Sequence, residues 1–213
     1  MKIKKFPQSC LLVSIADKKI LVDPGCLKFD ASFVPEWKTA DVVLLTHRHP
    51  DHVNAEILQN LAAPIYAPRE VAKFYPTLKI KKVKAGNAFH LGDATIVVTH
   101  AQHGFQPPMK TNGMECLEAV GYIISDGNQS IYITGDTICF NNDYTADILI
   151  APATGNCVTM DAVGVGYFAK MVGAQKVYLV HNDNYPLAKD AESTLKSMDV
   201  KYEIMENGKE YTI

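Results

Sequence analysis

The most informative segment of the chain is Thr46-His47-Arg48-His49-Pro50-Asp51-His52. It contains three of the seven histidines of the chain, together with an aspartate. It begins where residues 41–46 (DVVLLT) end, an apolar run typical of a strand that is buried on both faces. Imidazole and carboxylate are the ligands that zinc-like ions prefer, and a loop that leaves a strand can direct several of them into one cavity. This density of ligands predicts a metal-binding loop and disfavours a solvated loop with histidines scattered by chance.

Further residues of ligand type occur where later apolar runs give way to polar loops. If these runs are strands, their ends bring the ligands to one edge of paired sheets, and this predicts a cleft there. The residues and the runs before them are His103 after 94–99, Asp136 after 130–134 and His181 after 176–180. His100 and His103 lie in one segment (THAQHG, residues 99–104), and composition alone does not choose between them. His90 is expected to be an ordinary residue at a strand end.

The remaining apolar runs predict two meanders of strands, each followed by alternating strands and helices. Two sheets packed face to face, with helices on the outer faces, accommodate this order, and the length of 213 residues favours one domain, residues 1–213. The predicted strands are 10–15, 19–23, 41–46, 64–66, 78–83, 88–90, 94–99, 120–125, 130–134, 147–151 and 176–180, with a final small hairpin from 202–205 and 210–212. The predicted helices are 55–61, 69–74, 160–171 (ended by Gly173) and 187–198.

Composition excludes several classes of protein. A net charge of −2 gives no sign of a nucleic-acid partner, and the lysines of residues 79–84 are better explained as a solvated strand edge. No segment has the roughly 18 apolar residues that a membrane span needs, and no secretory signal is evident. Five cysteines without Cys-x-x-Cys spacing predict neither a disulfide framework nor a thiolate zinc site, so we expect a cytoplasmic protein.

The ordered set of ligands resembles the metallo-β-lactamase superfamily. The resemblance rests on His47-x-His49-x-Asp51-His52, on the later His103 and His181, and on Asp136 within a Gly-Asp-Thr. It extends from residues 21–25 (LVDPG) to His181, and it is greatest to the ascorbate-6-phosphate-lactonase-like and uncharacterised hydrolase branch. The resemblance implies a four-layer αββα sandwich of two mixed β-sheets, with helices on the outer faces.

The resemblance also implies two divalent ions, with ligands divided between them. His47, His49 and His103 (preferred to His100) hold the first ion; Asp51, His52 and His181 hold the second, and Asp136 bridges them. Asp23 either supports the ligands from behind or is a turn residue before Pro24-Gly25. Zinc suits such a site, but Mn²⁺, Fe²⁺, Ni²⁺ and Co²⁺ are also accepted. His49 stands where the diiron oxygen-reducing members carry Glu, which argues against that branch but leaves a mono-iron enzyme open.

These implications predict a hydrolase that uses a metal-activated hydroxide on a small ester, lactone or phosphoester. Asp51 is the expected proton acceptor, since no convincing serine or cysteine triad is present. A phosphodiesterase of nucleotides, nucleic acid or phospholipid is the alternative; a non-heme iron redox enzyme and a non-catalytic metal-binding protein carry less weight. Residues 105–117 either border the cleft or form a mobile surface loop, and Gly155, Asn156 and Thr159 are further lining candidates. The expected partner is a small molecule, and a homo-oligomer is left open.

Overall fold

The first β-sheet is built mainly by the N-terminal part of the chain. The computed structural model describes residues 1–183 and 191–213. The first sheet contains β1 (Lys2–Lys5), β2 (Leu11–Ile15), β3 (Lys18–Val22), β4 (Val42–Leu44), β5 (Ile65–Ala67), β6 (Ile80–Lys82) and β14 (Glu210–Thr212). Its strand order is β14-β1-β2-β3-β4-β5-β6. The pairings from β14 to β3 are antiparallel and those from β3 to β6 are parallel, so the sheet is mixed.

The second sheet repeats this arrangement with the rest of the chain. It contains β7 (Ala88–Leu91), β8 (Ala94–Ala101), β9 (Ala119–Ser125), β10 (Ser130–Ile133), β11 (Ile148–Pro152), β12 (Lys176–Val180) and β13 (Tyr202–Ile204). The strand order is β7-β8-β9-β10-β11-β12-β13, again antiparallel as far as β10 and parallel beyond it.

Short helices connect the strands of both sheets. They are α1 (Val34–Trp37, preceded by a 3₁₀ turn at Ala31–Phe33), α2 (Ala55–Leu58), α3 (Arg69–Phe74), α4 (Pro107–Thr111), α5 (Ala162–Val172) and α6 (Ala191–Ser197). Asn54 begins α2 by accepting a hydrogen bond from the backbone N–H of Ile57, and Gly173 ends α5 in the left-handed conformation.

Alternation along the strands places apolar residues on both faces of each sheet. In β11, Ile148 and Ile150 belong to the core between the sheets, whereas Leu149 and Ala151 contact the layer that contains α5 and α6. In β4, Val43 belongs instead to the outer core of the first sheet, together with Trp37 and Leu58. The molecule therefore has four layers, helix–sheet–sheet–helix, and the predicted αββα sandwich is confirmed.

Most predicted strands and helices are present, within a few residues of the expected ends. The start of the helix predicted at 187–198 lies outside the described residues, and α6 is its described part. The prediction missed β1, α1 and α4. The lysine-rich strand does form a sheet edge, because β6 is the last strand of the first sheet. No helix in the described ranges is both long and apolar enough to cross a membrane, and all five cysteines are free.

The predicted C-terminal hairpin is wrong. Tyr202–Ile204 pairs in parallel with β12 in the second sheet, whereas Glu210–Thr212 pairs with β1 in the first. The intervening residues carry the chain from one sheet to the other, and the backbone of Lys5 bonds there to Gly208 and Lys209. Alternation had predicted two strands correctly, but it carries no information about the partner of each strand.

Candidate metal centre

The topology brings four strand ends to one edge of the sandwich. Strands β8, β10 and β12 run in the same direction, since β9 is antiparallel to both β8 and β10, and β11 is parallel to both β10 and β12. Their carboxyl ends lead to His103, Asp136 and His181, while β4 leads to the loop that starts at Thr46. The backbone N–H of Val120 donates to the Thr46 carbonyl at 3.0 Å and joins the two sheets here.

The structure brings His47, His49 and His103 together, with one ring nitrogen of each within 4.8 Å of the others. His47 and His49 are almost fully buried, and His103 is half-buried. The ring centres of His49 and His103 are 4.6 Å apart, and those of His47 and His103 are 5.0 Å apart. The two loops therefore direct three imidazoles into one space.

Hydrogen bonds on the outer side of these rings determine which nitrogen carries the proton. The Thr46 hydroxyl donates to Asp23 at 2.7 Å, so it accepts from His47 Nδ1 at 3.1 Å. His49 Nε2 donates to the Met114 carbonyl at 2.7 Å, and His103 Nδ1 donates to the Gly104 carbonyl at 2.7 Å. The opposite nitrogens then present lone pairs to the common space.

These lone pairs fit a cation. His47 Nε2 and His49 Nδ1 lie 3.1 Å apart, so two lone pairs would face each other with nothing positive between them. His103 Nε2 is buried and makes no hydrogen bond within the described part of the chain. A divalent ion bound by three neutral imidazoles would satisfy all three nitrogens, and the support from behind each ring is the arrangement that metal-ligating histidines usually show.

A second group consists of Asp51, His52, Asp136 and His181, whose ligand atoms also lie within 4.8 Å of one another. Asp136 faces two of the imidazoles, with Oδ1 3.5 Å from His52 Nε2 and Oδ2 3.4 Å from His181 Nε2. Asp51 Oδ2 accepts a hydrogen bond from His181 Nε2 at 3.0 Å. His52 also lies against His47, with ring centres 4.1 Å apart, so the two groups are contiguous.

Asp23 supports the centre from behind and is fully buried. Its Oδ1 accepts from the backbone N–H of Thr46 at 2.8 Å, and its Oδ2 accepts from His52 Nδ1 at 2.8 Å. This leaves Nε2 of His52 to face the carboxylates. Asp23 is thus more than a turn residue: it connects β3 to the metal-binding loop and orients an imidazole.

The two groups of side chains have opposite pKa shifts. Burial and neighbouring imidazoles hold the pKa of His47 well below its ordinary value, and burial lowers the pKa of His49 and His103. Burial acts in the same direction on His52 and His181, but nearby carboxylates outweigh it and raise the pKa of both. The first group is therefore neutral at pH 7, whereas the second forms an ion cluster with the carboxylates.

The carboxylates show the complementary effect. Burial acts to raise the pKa of Asp51 and Asp136, but the imidazoles of His52 and His181 outweigh it and hold both pKa values below the usual range. Both side chains are therefore ionised at neutral pH. One buried carboxylate (Asp136), one half-buried carboxylate (Asp51) and two imidazoles form a donor set that suits a zinc-like divalent ion.

The other histidines lie away from this cluster. His100 is exposed, and its ring packs on Phe140. Its backbone N–H donates a hydrogen bond to the Tyr144 hydroxyl at 3.0 Å. The geometry thus groups His103, and not His100, with His47 and His49. His90, at the exposed edge strand β7, contacts Thr95.

A cavity of about 570 Å³ opens over the ligands, and His49, Asp51, Asp136 and His181 form its floor. Residues 105–117 border the cavity through Gln106, the short helix α4 and Met114. This is the first of the two alternatives that the sequence offered for this segment. A second wall is formed by residues 154–159, including the expected Gly155, Asn156 and Thr159.

Sequence reasoning missed two contributors to this site. Gln106 donates from its side-chain amide to the Asn156 carbonyl and joins the two cavity walls. Arg48 lies between two ligand-type histidines and is almost fully buried. A charged residue inside an otherwise buried motif was the available signal for Arg48, whereas nothing in the sequence marked the partner of Gln106.

Comparisons with known proteins identify the family of the chain. Residues 2–181 match the family model of the β-lactamase superfamily domain. A UPF0173 metal-dependent hydrolase of Methanosphaerula palustris is 27% identical over 202 residues, which cover 90% of this chain and 88% of the relative. Another, of Methanospirillum hungatei, is 26% identical over 229 residues, with 100% and 99% covered.

Solved structures share the fold over the whole length of the chain. The metallo hydrolase Igni18 of Ignicoccus hospitalis has a TM-score of 0.78 at 22% identity, with 100% of this chain and 98% of that chain covered. The metallo-β-lactamase fold protein YhfI of Bacillus subtilis has a TM-score of 0.78 at 21% identity, with 99% and 98% covered. At such identities the similarity shows the architecture.

Proposed function

The chain belongs to the β-lactamase superfamily and is a metal-dependent hydrolase, and from this premise we propose that it hydrolyses a small ester, lactone or phosphoester with two divalent ions, zinc first among them. The observation that carries the proposal is the pair of adjacent ligand groups on the floor of one cavity. In the first group, His103 Nε2 is buried and makes no hydrogen bond within the described residues. The lone pairs of His47 Nε2 and His49 Nδ1 face each other at 3.1 Å, so a bound cation would satisfy all three nitrogens.

We assign the ligands according to these groups. His47, His49 and His103 hold one ion, Asp51, His52 and His181 hold the other, and Asp136 lies between them. The bridging role of Asp136 is supported by its position: its carboxylate faces the second group, while its charge also acts on His103 of the first. The free lone pairs of His47, His49 and His103 support the first set.

Bound divalent cations supply a water of lowered pKa and polarise the carbonyl or phosphoryl oxygen under attack. The protein supplies proton transfer and shape. Asp51 is the proposed proton acceptor, because its carboxylate lines the cavity and is ionised at neutral pH.

The lining of the cavity favours an uncharged substrate within the proposed class. Met109, Met114 and Leu27 provide apolar surface, and Gln106 and Asn156 provide amides. No lysine or arginine lines the cavity within the described residues, although these are the side chains that usually recognise phosphate. We therefore expect esters and lactones to be hydrolysed faster than phosphoesters. The five free thiols support a reducing, cytoplasmic location.

The proposal is tested by metal analysis followed by a substrate panel. Metal-free protein is loaded separately with Zn²⁺, Mn²⁺, Fe²⁺, Ni²⁺ or Co²⁺ and assayed on 4-nitrophenyl esters, lactones, 4-nitrophenyl phosphate and bis(4-nitrophenyl) phosphate. We expect two equivalents of metal and the highest kcat/KM on a neutral substrate.

Other outcomes would contradict the proposal in identifiable ways. Preference for the diester would indicate the alternative phosphodiesterase. Stoichiometric iron together with oxygen-dependent oxidation of a thiol would indicate a redox enzyme in place of a hydrolase. Metal binding without turnover of any compound in the panel would count against the proposed substrate class.

A further inference from the structure

Arg48 stands between two proposed ligands, but its side chain contacts α3 and the residues before β9. It is only 6% exposed. Its Nε lies 3.2 Å from Glu70 Oε1, and its guanidinium carbon lies 3.9 Å from the centre of the Phe74 ring. Burying a guanidinium is costly unless its charge is paired and its N–H groups find acceptors. The burial of Arg48 therefore needs a structural reason, and the groups that it contacts supply one.

The Arg48–Glu70 pair binds both ends of residues 113–118. Arg48 Nη2 donates to the carbonyl of Gly113 at 2.7 Å and also to the carbonyl of Glu115. At the other end, Glu70 Oε2 accepts from the backbone N–H groups of Leu117 and Glu118, each at 2.9 Å. Two buried side chains thus fix the backbone of this segment through four hydrogen bonds.

Met114 lies between the two carbonyls that Arg48 holds, and its own carbonyl accepts from His49 Nε2 at 2.7 Å. This hydrogen bond places the proton on Nε2 and the lone pair on Nδ1, which lies 3.1 Å from His47 Nε2. The position of the Met114 carbonyl therefore determines both the tautomer of His49 and the direction of its lone pair.

We propose that Arg48, acting with Glu70, is a positioning residue of the metal centre: it holds the Met114 carbonyl where it orients His49 toward the first ion. The inference rests on the proposed function in that His49 is taken to be a metal ligand. Lysine would replace Arg48 only in part, because a single ammonium lacks the planar fork that reaches two carbonyls and a carboxylate at once.

Zn²⁺ affinity is the first readout, measured by chelator competition on the metal-free full-length protein. The variant is Arg48→Met/Glu70→Gln, which removes both charges and leaves no unpaired charge buried. We expect the first equivalent of Zn²⁺ to bind about tenfold more weakly or worse, the usual consequence of losing the support behind a ligand. Arg48→Lys should show an intermediate loss.

Arg69→Met is the matched control. Arg69 precedes Glu70 and pairs with Glu118 of the same segment at 2.5 Å, but its side chain is 78% exposed. Removal of this exposed pair should leave Zn²⁺ affinity within about twofold of the wild-type value, since such pairs contribute little. An equal loss in both variants would mean that any disturbance of the segment has the effect, and it would overturn the assignment to Arg48.

The second readout is the tautomer of His49, obtained from long-range ¹H–¹⁵N spectra of metal-free protein, with the His49 signals identified by their absence in His49→Ala. We expect a single Nε2–H tautomer in the wild type and a mixture in Arg48→Met/Glu70→Gln. A purely structural role would lower the melting temperature but leave the tautomer and the affinity of the folded protein unchanged, and that result would refute the inference.

Both readouts are independent of turnover, so the inference and the proposed function can fail separately. Loss of Zn²⁺ affinity in Arg48→Met/Glu70→Gln without hydrolysis of any substrate would support the inference and count against the proposed function. Should the double variant fail to fold, Glu70→Gln alone decides by the same two readouts, since it keeps an acceptor oxygen for Leu117 and Glu118 and removes only the ion pair.

Discussion

At the scale of single residues, the histidines of the centre differ because their neighbours differ. His47, His49 and His103 face one another in a buried space, and their pKa values are lowered from 6.5. His52 and His181 face carboxylates, and their pKa values are raised from 6.5. Since metals bind neutral imidazole, protons compete far more strongly for the second group than for the first.

We predict that the two ions load in different pH ranges. The first group loses its protons at a lower pH than an ordinary histidine does, whereas His52 and His181 keep theirs to a higher pH. Calorimetric titration with Zn²⁺ across a series of pH values should therefore show the first equivalent binding at lower pH than the second. In buffers of different ionisation enthalpy, the second equivalent should release protons; equal stoichiometry at every pH, with no proton release, would contradict the shifts.

Substitution of single ligands tests the choice among the histidines. His49→Ala and His103→Ala should each reduce metal affinity and activity by about tenfold or more, since a ligand matters at least as much as the group that supports it. His100→Ala is the control, because His100 is exposed and separate from the cluster. If metal content falls only in the His100 variant, the grouping of His103 with His47 and His49 is not the functional one.

The ligand-type residues could be predicted because the side chains of histidine and aspartate are themselves the metal-binding groups. Imidazole and carboxylate side chains at the ends of apolar runs indicated a metal site before any contact was known. The orienting groups could not be predicted in the same way. The Met114 carbonyl acts on His49 through the backbone, which every residue carries, so only the folded position reveals the contact.

At the scale of elements, the turn Asp23-Pro24-Gly25 fits directly against the metal-binding loop. The backbone N–H of Asn54 donates to the Pro24 carbonyl at 2.7 Å, and that of Cys26 donates to the Pro50 carbonyl at 2.8 Å. A Cβ at Gly25 would lie 1.8 Å from the Asp51 carbonyl oxygen. Only glycine permits this approach, so the turn and the loop hold each other in place.

Gly25→Ala should therefore destabilise the protein by about 1–3 kcal/mol, as overpacking does, and weaken the second ion. Denaturant unfolding of the metal-free protein measures the first effect and Zn²⁺ titration the second. Gly164→Ala in α5 is the control, because a Cβ there meets nothing closer than 3.3 Å and alanine favours a helix. Stability of Gly25→Ala equal to that of the control would show that the turn can move without cost.

Strands were easier to predict than strand partners. The sequence predicted strands at 202–205 and 210–212, but a hairpin was the wrong interpretation of these two segments. Likewise β1 escaped prediction because Lys2, Lys4 and Lys5 obscure its pattern, although Lys5 is fully buried. Its ammonium lies 3.6 Å from Asp183, a contact formed only by the fold.

At the scale of the whole molecule, the two sheets have the same arrangement of antiparallel and parallel pairings, and the centre lies where their edges meet. The first sheet supplies the metal-binding loop after β4, and the second supplies His103, Asp136 and His181. Neither sheet alone carries a complete set of ligands. A single domain over residues 1–213 is therefore the organisation that we propose.

One domain of this construction should unfold in one step. The core between the sheets takes buried side chains from both, such as Val13 and Leu44 from the first sheet and Ile150 from the second, so separating the sheets exposes a large apolar surface.

We expect the fluorescence of Trp37, the single tryptophan, to change at the same urea concentration as the far-UV circular dichroism of metal-free protein. Trp37 packs on the outer face of the first sheet, whereas circular dichroism reports on both sheets. Zn²⁺ should move the two midpoints upward together, because it binds only where both sheets meet. Midpoints that differ, or that Zn²⁺ shifts unequally, would instead describe two units that unfold separately.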